Sequence, residues 1–562
     1  MTAMHDIEAY WRELDALRRV AGAEHEGALS QAFAGLLKAR AVEHQLVLSQ
    51  QHPFPTPTGK TLRPDGALLD RVRLVHGWWE AKDSSDALDQ EIAAKLAKGY
   101  PTTNILFEDT RTAVLIQNGQ EVLRAATSDG PALNRLLDGF FAFRPPEVAH
   151  FDQAVARFRA ELPTVIAALN DLLTGALAHE TAFQQRFAAF LAQCQHTIGA
   201  RVTTGQAREM LIQHILTEQI FRDIFPVSEF HRANHLACAL SELESALLRG
   251  ETRRNLLIRL EPYYTAIRRT AAGAISAAEK QEFLKAIYED FYTAYNPRDA
   301  DKLGVVYTPG EVVRFILAGC DWLARRHFDK SLADPELDIL DPCTGTGTFI
   351  VELLDWLRGD RAALARKYAE EIHANEIAIL PYYIACLNIE QTYAEIMGTW
   401  REFAGACFVD TLANWGFELT HRGAQSDLFG ALTEENRRRI QHQNTRRIPV
   451  ILGNPPYNAN QRSENENNKN EPAPIADARI RATYLAESSA QKTKLYDPYI
   501  RFFRWASDRI GQEGIIGFIT NRSYLDSRHA DGLRKTVINE FQEIWIVDLR
   551  SDVRRNPKIS GV

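Results

Sequence analysis

The sequence predicts a multidomain α/β protein in three parts. These are a small α/β domain over residues 1–142, a helical connector over 143–295, and a doubly wound parallel α/β domain over 296–562. Three observations lead there. At about 150 residues per domain, 562 residues make three to four domains. From about residue 148 to 295 almost every segment carries apolar residues at helical spacing. Beyond about 296, apolar strand candidates alternate with helices, the pattern of a parallel sheet covered on both faces.

Composition narrows the function classes. Hydrophobic residues at 45% and charged residues at 25% exclude wholesale disorder. The excess of Asp+Glu (73) over Lys+Arg (65) leaves a net charge of −8, which excludes a small basic nucleic-acid coat. It does not exclude a large DNA enzyme, which needs only a local basic cleft. No apolar run reaches the ~18 residues of a membrane span, and the opening MTAMHDIEAYWRELDAL has no secretory core. Cysteines 194, 238, 320, 343, 386 and 407 form no CxxC pair, so neither a disulfide framework nor a zinc ribbon is expected. The expectation is a soluble, cytoplasmic protein with no membrane partner.

In the first domain, Leu29, Phe33, Leu36 and Leu37 follow one another at helical spacing. RLVHGWW, NILFED and TAVLIQNG read as strands, and DALDQEIAAKLAK fits a helix over 86–98. FRPPE at 143–147 reads as a linker stiffened by paired prolines. The connector contains FDQAVARFRAEL, TAFQQRFAAFLAQC, AREMLIQHILTEQIFRDIF, NHLACALSELESALL and KQEFLKAIYEDFYTAY, all helical. His231 and His235 stand four apart there; without a third ligand they read as an ordinary polar helix face rather than a metal pair. In the last domain LDIL, EIHANEI, IPVILG and IIGFIT are strands, with FIVELLDWL and LPYYIACLNIEQTYAEIM as helices between them. The polar stretch 458–481 reads as a mobile surface loop.

Chemistry-bearing residues fall at both ends of the chain. Near the start, Pro64-Asp65 precedes Glu80-Ala81-Lys82 by fifteen positions. Two carboxylates on adjacent strands can hold Mg²⁺, with Lys82 on the same strand face as Glu80 to assist a water. Glu26, on the preceding helix, is the candidate third carboxylate. Read alone, such residues also suit an exposed polar surface. Near the other end, LDILDPCTGTGTFIVELL runs strand, turn, helix, with Gly345 and Gly347 letting the backbone approach a ligand. Ile350 replaces the third glycine of GxGxxG, so a nicotinamide-type turn or a plain tight corner stays open. Asp341 ahead of the turn suits a cationic amino-acid group better than a diphosphate. Glu376, closing the next strand, stands where doubly wound folds hold ribose hydroxyls. In GVVYTPGEVV, Thr308, Pro309 and Glu311 read as a capping box that starts a helix.

IPVILGNPPYNAN carries the sharpest signal. An apolar strand delivers Asn454-Pro455-Pro456-Tyr457 onto a rigid loop at the sheet's carboxyl edge. An aromatic amine is a poor nucleophile because its lone pair is delocalised into the ring. The Asn454 side chain and the Pro455 carbonyl, both accepting from the amine, can localise that pair, while Tyr457 offers a face for stacking a base rotated out of the helix.

With these motifs in order, residues 300–550 resemble the S-adenosylmethionine-dependent amino-methyltransferases, and more narrowly the adenine-N6 DNA methyltransferases. The resemblance implies a Rossmann-like fold. It implies cofactor contacts from Tyr307, Thr308 and Pro309, from Asp341, Gly345 and Gly347, from Glu376, and from Asp410 in ACFVDTL as the reader of the cofactor's adenine. Asn454 counts among the cofactor contacts as well as leading the catalytic loop. YDPYIRFFRWASDRI and IIGFITNRSYLD are also similar to segments of that family. The helix–strand–strand–helix setting of Asp65, Glu80 and Lys82 resembles the PD-(D/E)xK nucleases, and GYPTTNILFEDT is similar to the segment after that motif in fused enzymes. Nuclease, connector and methyltransferase in this order resemble the single-chain type IIG or IIL restriction–modification enzymes, and the methyltransferase half also the type ISP enzymes.

The implied activity is methylation of adenine N6 in a specific sequence of double-stranded DNA, with the target adenine flipped out, and Mg²⁺-dependent cleavage of unmodified DNA in phage defence. No ATP motor is expected in this chain: Gly59-Lys60-Thr61 lacks the leading glycine of a phosphate loop, Phe54 standing there. Arg437-Arg438-Arg439 and Arg446-Arg447 are candidate phosphate contacts, or else a solvated helix face. Methylation of a protein glutamine, or a silent nuclease fold, are the alternatives. EIWIVDL is expected inside the sheet. The chain is expected to lack its target-recognition domain, supplied by further sequence or by a partner subunit.

Overall fold

The computed structural model describes residues 2–21, 26–56, 60–83, 87–198, 202–225, 230–248, 251–273, 277–295, 308–415, 430–457, 473–488 and 493–549. They divide into two compact units. The first takes residues 1–164, 220–224 and 255–291, and the second residues 165–219, 225–254 and 292–562. The helical stretch is therefore shared between the two.

The first unit is built on a sheet of β1 (Val47–Gln50), β4 (Gly66–Leu69), β5 (Val75–Ala81), β6 (Asn104–Glu108), β7 (Thr112–Gln117) and β8 (Gln120–Ala126), in that spatial order; β2 (Phe54–Pro55) and β3 (Thr61–Leu62) form a separate ribbon. Only β5 and β6 pair in parallel, and helix Leu88–Ala97 is the crossover between them. Alternation along β5 separates two cores. Trp79 and Ala81 face helices Thr2–Ala21, Glu26–Glu43 and Gly130–Ala142, while Trp78 faces the side of Leu88 and Ile92. Gly77 permits close packing, since a Cβ there would stand 2.5 Å from Cε2 of Phe140. Helix Gly130–Ala142 starts where the Asp129 carboxylate accepts the N–H of Ala132. The paired prolines do not make an extended linker: Pro146 opens helix Pro146–His179, where its missing N–H costs nothing.

The second unit holds β9 (Ile339–Asp341), β10 (Ile372–Glu376), β11 (Ala406–Phe408), β12 (Val450–Gly453) and β13 (Ile515–Phe518). All are parallel, in the order β11-β10-β9-β12-β13. The order reverses at β9, so a crevice opens between the carboxyl ends of β9 and β12, where such sheets bind ligands. β9 to β12 are buried at every position except Glu376, the last residue of β10, as a sheet covered on both faces requires.

Two expectations need correction here. Residues 474–482 of the polar stretch are not loop: Pro474–Ala482 is a helix that buries Ala476 and Ile480, four apart on one face. Residues 458–472 lie outside the described residues. EIWIVDL is not a strand. Residues 544–547 and 549 are exposed, and Trp545 meets Trp322 edge-on at 5.5 Å beside the sheet.

Candidate active sites

At the crevice, β9 runs into the DPCTGTG turn. Gly345 and Gly347 take φ of +56° and +88°, left-handed values that penalise any side chain. Gly347 is also pressed against helix Ile379–Met397, where a Cβ would stand 3.1 Å from the Cα of Ala385. Asp341 is 1% exposed. Its Oδ1 accepts the N–H of Cys343 at 3.1 Å and its Oδ2 the Thr344 hydroxyl at 3.2 Å. Burial outweighs both bonds, Glu376 adds its charge, and the carboxyl is pushed up to about 7. Glu376, closing β10, accepts N–H groups of Gly345 (2.9 Å), Ile377 (2.9 Å) and Ala378 (2.8 Å), yet burial still carries it to about 7. Asp410 lies two residues past β11, its Oδ1 taking the N–H of Leu412 at 2.9 Å. Next to it, the Thr411 hydroxyl donates to the Pro342 carbonyl at 2.6 Å, tying this loop to the glycine turn.

β12 delivers Asn454 to the same edge. A Cβ on Gly453 would stand 2.7 Å from Asp341 Oδ1, so the glycine is what lets the two strands bring these side chains together. Asn454 Nδ2 donates to Thr308 Oγ1 at 3.1 Å, while its Oδ1 is buried with no hydrogen-bond partner among the described residues. A buried acceptor of this kind costs about 1–3 kcal/mol until a donor meets it. Pro455 is buried and Tyr457 half-buried against a cluster holding Tyr484, Leu495 and Tyr499, with Tyr496 and Tyr524 at its margin.

Sequence reading missed the partner of Asn454. Thr308, Pro309 and Glu311 do not form a capping box. Helix Gly310–Phe328 has Pro309 as its N-cap with no side-chain cap, because the Thr308 hydroxyl is turned to Asn454 instead. Tyr307 lies outside the described residues. The edge thus collects Thr308, Asp341, Gly345, Gly347, Glu376, Asp410 and Asn454. A glycine turn, two carboxylates and an acceptor fit a cofactor with a cationic amino-acid part and ribose hydroxyls.

The second constellation sits where β4 meets β5. Asp65 Oδ2 accepts the N–H of Ala81 at 2.9 Å, Oδ1 accepts Gln51 Nε2 at 3.1 Å, and the Asp65 N–H reaches Glu80 Oε2 at 3.3 Å. Burial, then the charge of Glu80, holds the Asp65 carboxyl above its ordinary range. Glu80, 2% exposed, takes Lys82 Nζ on Oε1 at 2.8 Å and also Lys95 Nζ. Lys95, from the crossover helix, further donates to Tyr100 Oη at 3.0 Å and was not foreseen, its partnership being purely spatial. Asp65 and Glu80 offer the hard carboxylate oxygens that Mg²⁺ prefers, and two lysines supply the counter-charge to Glu80 in this structure. Glu26 is the first residue of its helix, and its side chain is outside the described residues.

Other candidates dissolve. Arg437 and Arg438 pair with Glu434, Arg439 is buried between Glu402 and Glu435, Arg446 pairs with Asp338 and Arg447 with Glu513. Arg439 is thus taken up inside the protein, whereas Arg438 and Arg447 keep about two-thirds of their side chains exposed in surface pairs. His235 lies on no polar face: it is 3% exposed, and burial pushes its imidazole down to about 3. The side chain of His231 lies outside the described residues. Among those that are described, one set has metal-ligating types gathered, His214, Glu218 and Glu244. There Arg253 already supplies the cation, reaching Glu244 Oε1 at 2.6 Å and Glu218 Oε2 at 3.0 Å.

Two family models match the sequence: "Type ISP restriction-modification enzyme, coupler domain" over residues 156–279, and "N-6 DNA Methylase" over 279–559. The helical connector, unassigned from sequence, thus matches a coupler. Among solved structures, the chain is 44% identical to that of a DrdV–DNA complex, with a TM-score of 0.72, covering 98% of this chain and 53% of that one. It is 34% identical to a nuclease-deletion mutant of the Type ISP restriction-modification enzyme LlaGI in complex with a DNA substrate mimic (TM-score 0.63, 71% of this chain, 32% of that one). It is also 34% identical to the ATP-dependent Type ISP enzyme LlaBIII bound to DNA (0.61, 74% and 27%). The chain spans between 27% and 53% of these relatives' lengths. No curated protein gives a significant match. Among the described residues no helix is long and apolar enough to cross a membrane.

Proposed function

Because the chain belongs to the N-6 DNA methylase family, we propose that it transfers a methyl group from S-adenosylmethionine to adenine N6 in double-stranded DNA, as part of a restriction–modification protein whose first α/β unit is a Mg²⁺-dependent nuclease. The observation that carries the reading is the Asn454 side chain, held by Thr308 through Nδ2 with its buried Oδ1 left for a donor. A flipped adenine offers two N–H donors on N6. Asn454 Oδ1 and the Pro455 carbonyl accept them, drawing the nitrogen out of conjugation so that its lone pair points at the methyl group. Tyr457 stacks on the displaced ring and replaces its lost neighbours. Asp341 holds the cofactor's ammonium group, Glu376 its ribose hydroxyls and Asp410 its adenine, with Tyr307, Thr308, Pro309 and the glycine turn closing round it. S-adenosylmethionine supplies an activated methyl group when bound. In the first unit Asp65 and Glu80 hold Mg²⁺, Lys82 orients the attacking water and Glu26 assists. Sequence choice falls to a target-recognition domain or partner subunit, and the DNA-bound states of the relatives support DNA as the substrate.

The test incubates the purified chain with tritiated S-adenosylmethionine and either duplex DNA or a lysate protein pool. Label on DNA, released as N6-methyladenine and lost in Asn454→Ala, is expected. Label on protein glutamine instead would replace the reading with the alternative one.

A further inference from the structure

The coupler-matching helices do not pack against the methyltransferase sheet at random. They grip helix Ile379–Met397, and that helix touches the candidate cofactor site along its first half. Its N-terminus follows Glu376, whose Oε1 holds the N–H groups of Ile377 and Ala378. Further along, its backbone at Ala385 is what Gly347 leans on, and Asn388 Nδ2 donates to the Thr346 carbonyl at 3.0 Å. The coupler side is equally specific. Tyr383 Oη lies 3.2 Å from His214 Nδ1, and its ring meets Phe230 edge-on at 5.3 Å. Asn234 Nδ2 donates to Tyr382 Oη at 3.4 Å. His214 is itself fixed, with Nε2 3.2 Å from the Ser241 hydroxyl and 3.6 Å from Glu244, inside the buried set that Arg253 closes.

Resting on the cofactor-site reading above, we propose that His214 and Tyr383 are positioning residues for that site. The coupler, through the His214–Tyr383 contact together with Phe230 and Asn234 beside it, sets where helix Ile379–Met397 presses the glycine turn. Helices are stiff and the interior is close-packed, so a displacement at Tyr383 arrives two residues later at Ala385 with little loss. Coupling of this kind is reciprocal: if the coupler tunes cofactor affinity, the cofactor must tighten the coupler by the same factor.

The test measures S-adenosylmethionine affinity of the full chain by calorimetry for wild type, Tyr383→Phe, His214→Ala and His214→Asn, and hydrogen exchange over residues 208–218 with and without cofactor. Tyr383→Phe keeps the ring and loses only the hydroxyl, so folding is preserved. Coupling of this bond's full net worth to the cofactor site predicts roughly three- to tenfold weaker binding in Tyr383→Phe and His214→Ala, with His214→Asn, whose amide stands near the lost Nδ1, recovering most of it. Cofactor is expected to slow exchange over 208–218 in wild type and not in Tyr383→Phe. Unchanged affinity in Tyr383→Phe, or identical cofactor-induced protection in both proteins, overturns the proposal. A folded wild type that binds no S-adenosylmethionine fails the site reading itself and takes this inference with it.

Discussion

Asp341 and Glu376 are carboxylic acids that burial carries to about 7, so near neutrality each is only partly charged. Raised pKa values mean that the folded protein is fully stable with respect to these groups below their ordinary values near 4, and that this stability is lost as pH rises toward 7. Cofactor binding has the opposite sign, because an ammonium group favours the ionised acid. Affinity for S-adenosylmethionine is therefore expected to climb between about pH 6 and 8 and then level off, with Asp341→Asn weaker by about tenfold or more and less steep across that range, where Glu376 still titrates. Calorimetry across pH decides it, and an affinity that falls with rising pH refutes the assignment. Glu108 illustrates the same physics away from the crevice. It is 0% exposed, and burial pushes it up to about 8 against the Thr110 N–H, with the charge of Asp109 adding to the rise. Its contribution is intact below about pH 4.5 and drains away up to pH 8, by about 1.4 kcal/mol per pH unit. Glu108→Gln should flatten the loss of unfolding free energy in that window by this amount, read by chemical denaturation across pH. An unchanged slope would mean that Glu108 ionises freely.

Glycines set the close approaches between elements. Gly453 lies where β12 passes Asp341, and a methyl group would meet Oδ1 at 2.7 Å. Gly453→Ala is expected to cost about 1–3 kcal/mol of stability by overpacking and to weaken cofactor binding tenfold or more. Chemical denaturation together with calorimetry separates the two effects; lost stability with unaltered affinity would show that Asp341 is not in the binding site. Elements were legible in the sequence where an apolar run or a neighbouring motif marks them. β9 and β12 declare themselves as apolar runs, as does helix Ile379–Met397. β8 did not, since along Gln120–Ala126 only Ala125 is buried and no alternation exists to read. β11, three residues like β9, lacks the glycine turn that marks the end of β9, and helix Pro474–Ala482 shows only Ala476 and Ile480 against a polar background. The site was legible to the same degree. Motifs local in sequence announced Asp341, Glu376, Asn454, Asp65, Glu80 and Lys82, whereas the Thr308–Asn454 bond spans 146 positions and Lys95 meets Glu80 only through the fold.

The two candidate centres belong to separate compact units, with Asp65, Glu80 and Lys82 in the first and the β9–β12 crevice in the second. Their activities should separate by mutation. Lys82→Ala is expected to abolish Mg²⁺-dependent cleavage while leaving methyl transfer within about twofold of wild type. Cleavage at the unmutated rate would remove Lys82 from the nuclease. The parallel strand order carries a further consequence, for synthesis on the ribosome. β9 is finished at Asp341, yet its neighbour on one side, β12, begins only at Val450. At roughly 5–20 residues per second, the central strand waits on the order of ten seconds with one edge bare. An unpaired, largely apolar strand edge is a template for pairing with other chains. Nascent chains of this protein therefore pass through a window in which β9 is paired on its β10 side and bare on the side β12 will take, and holdase chaperones should associate most strongly with ribosomes paused between these two strands.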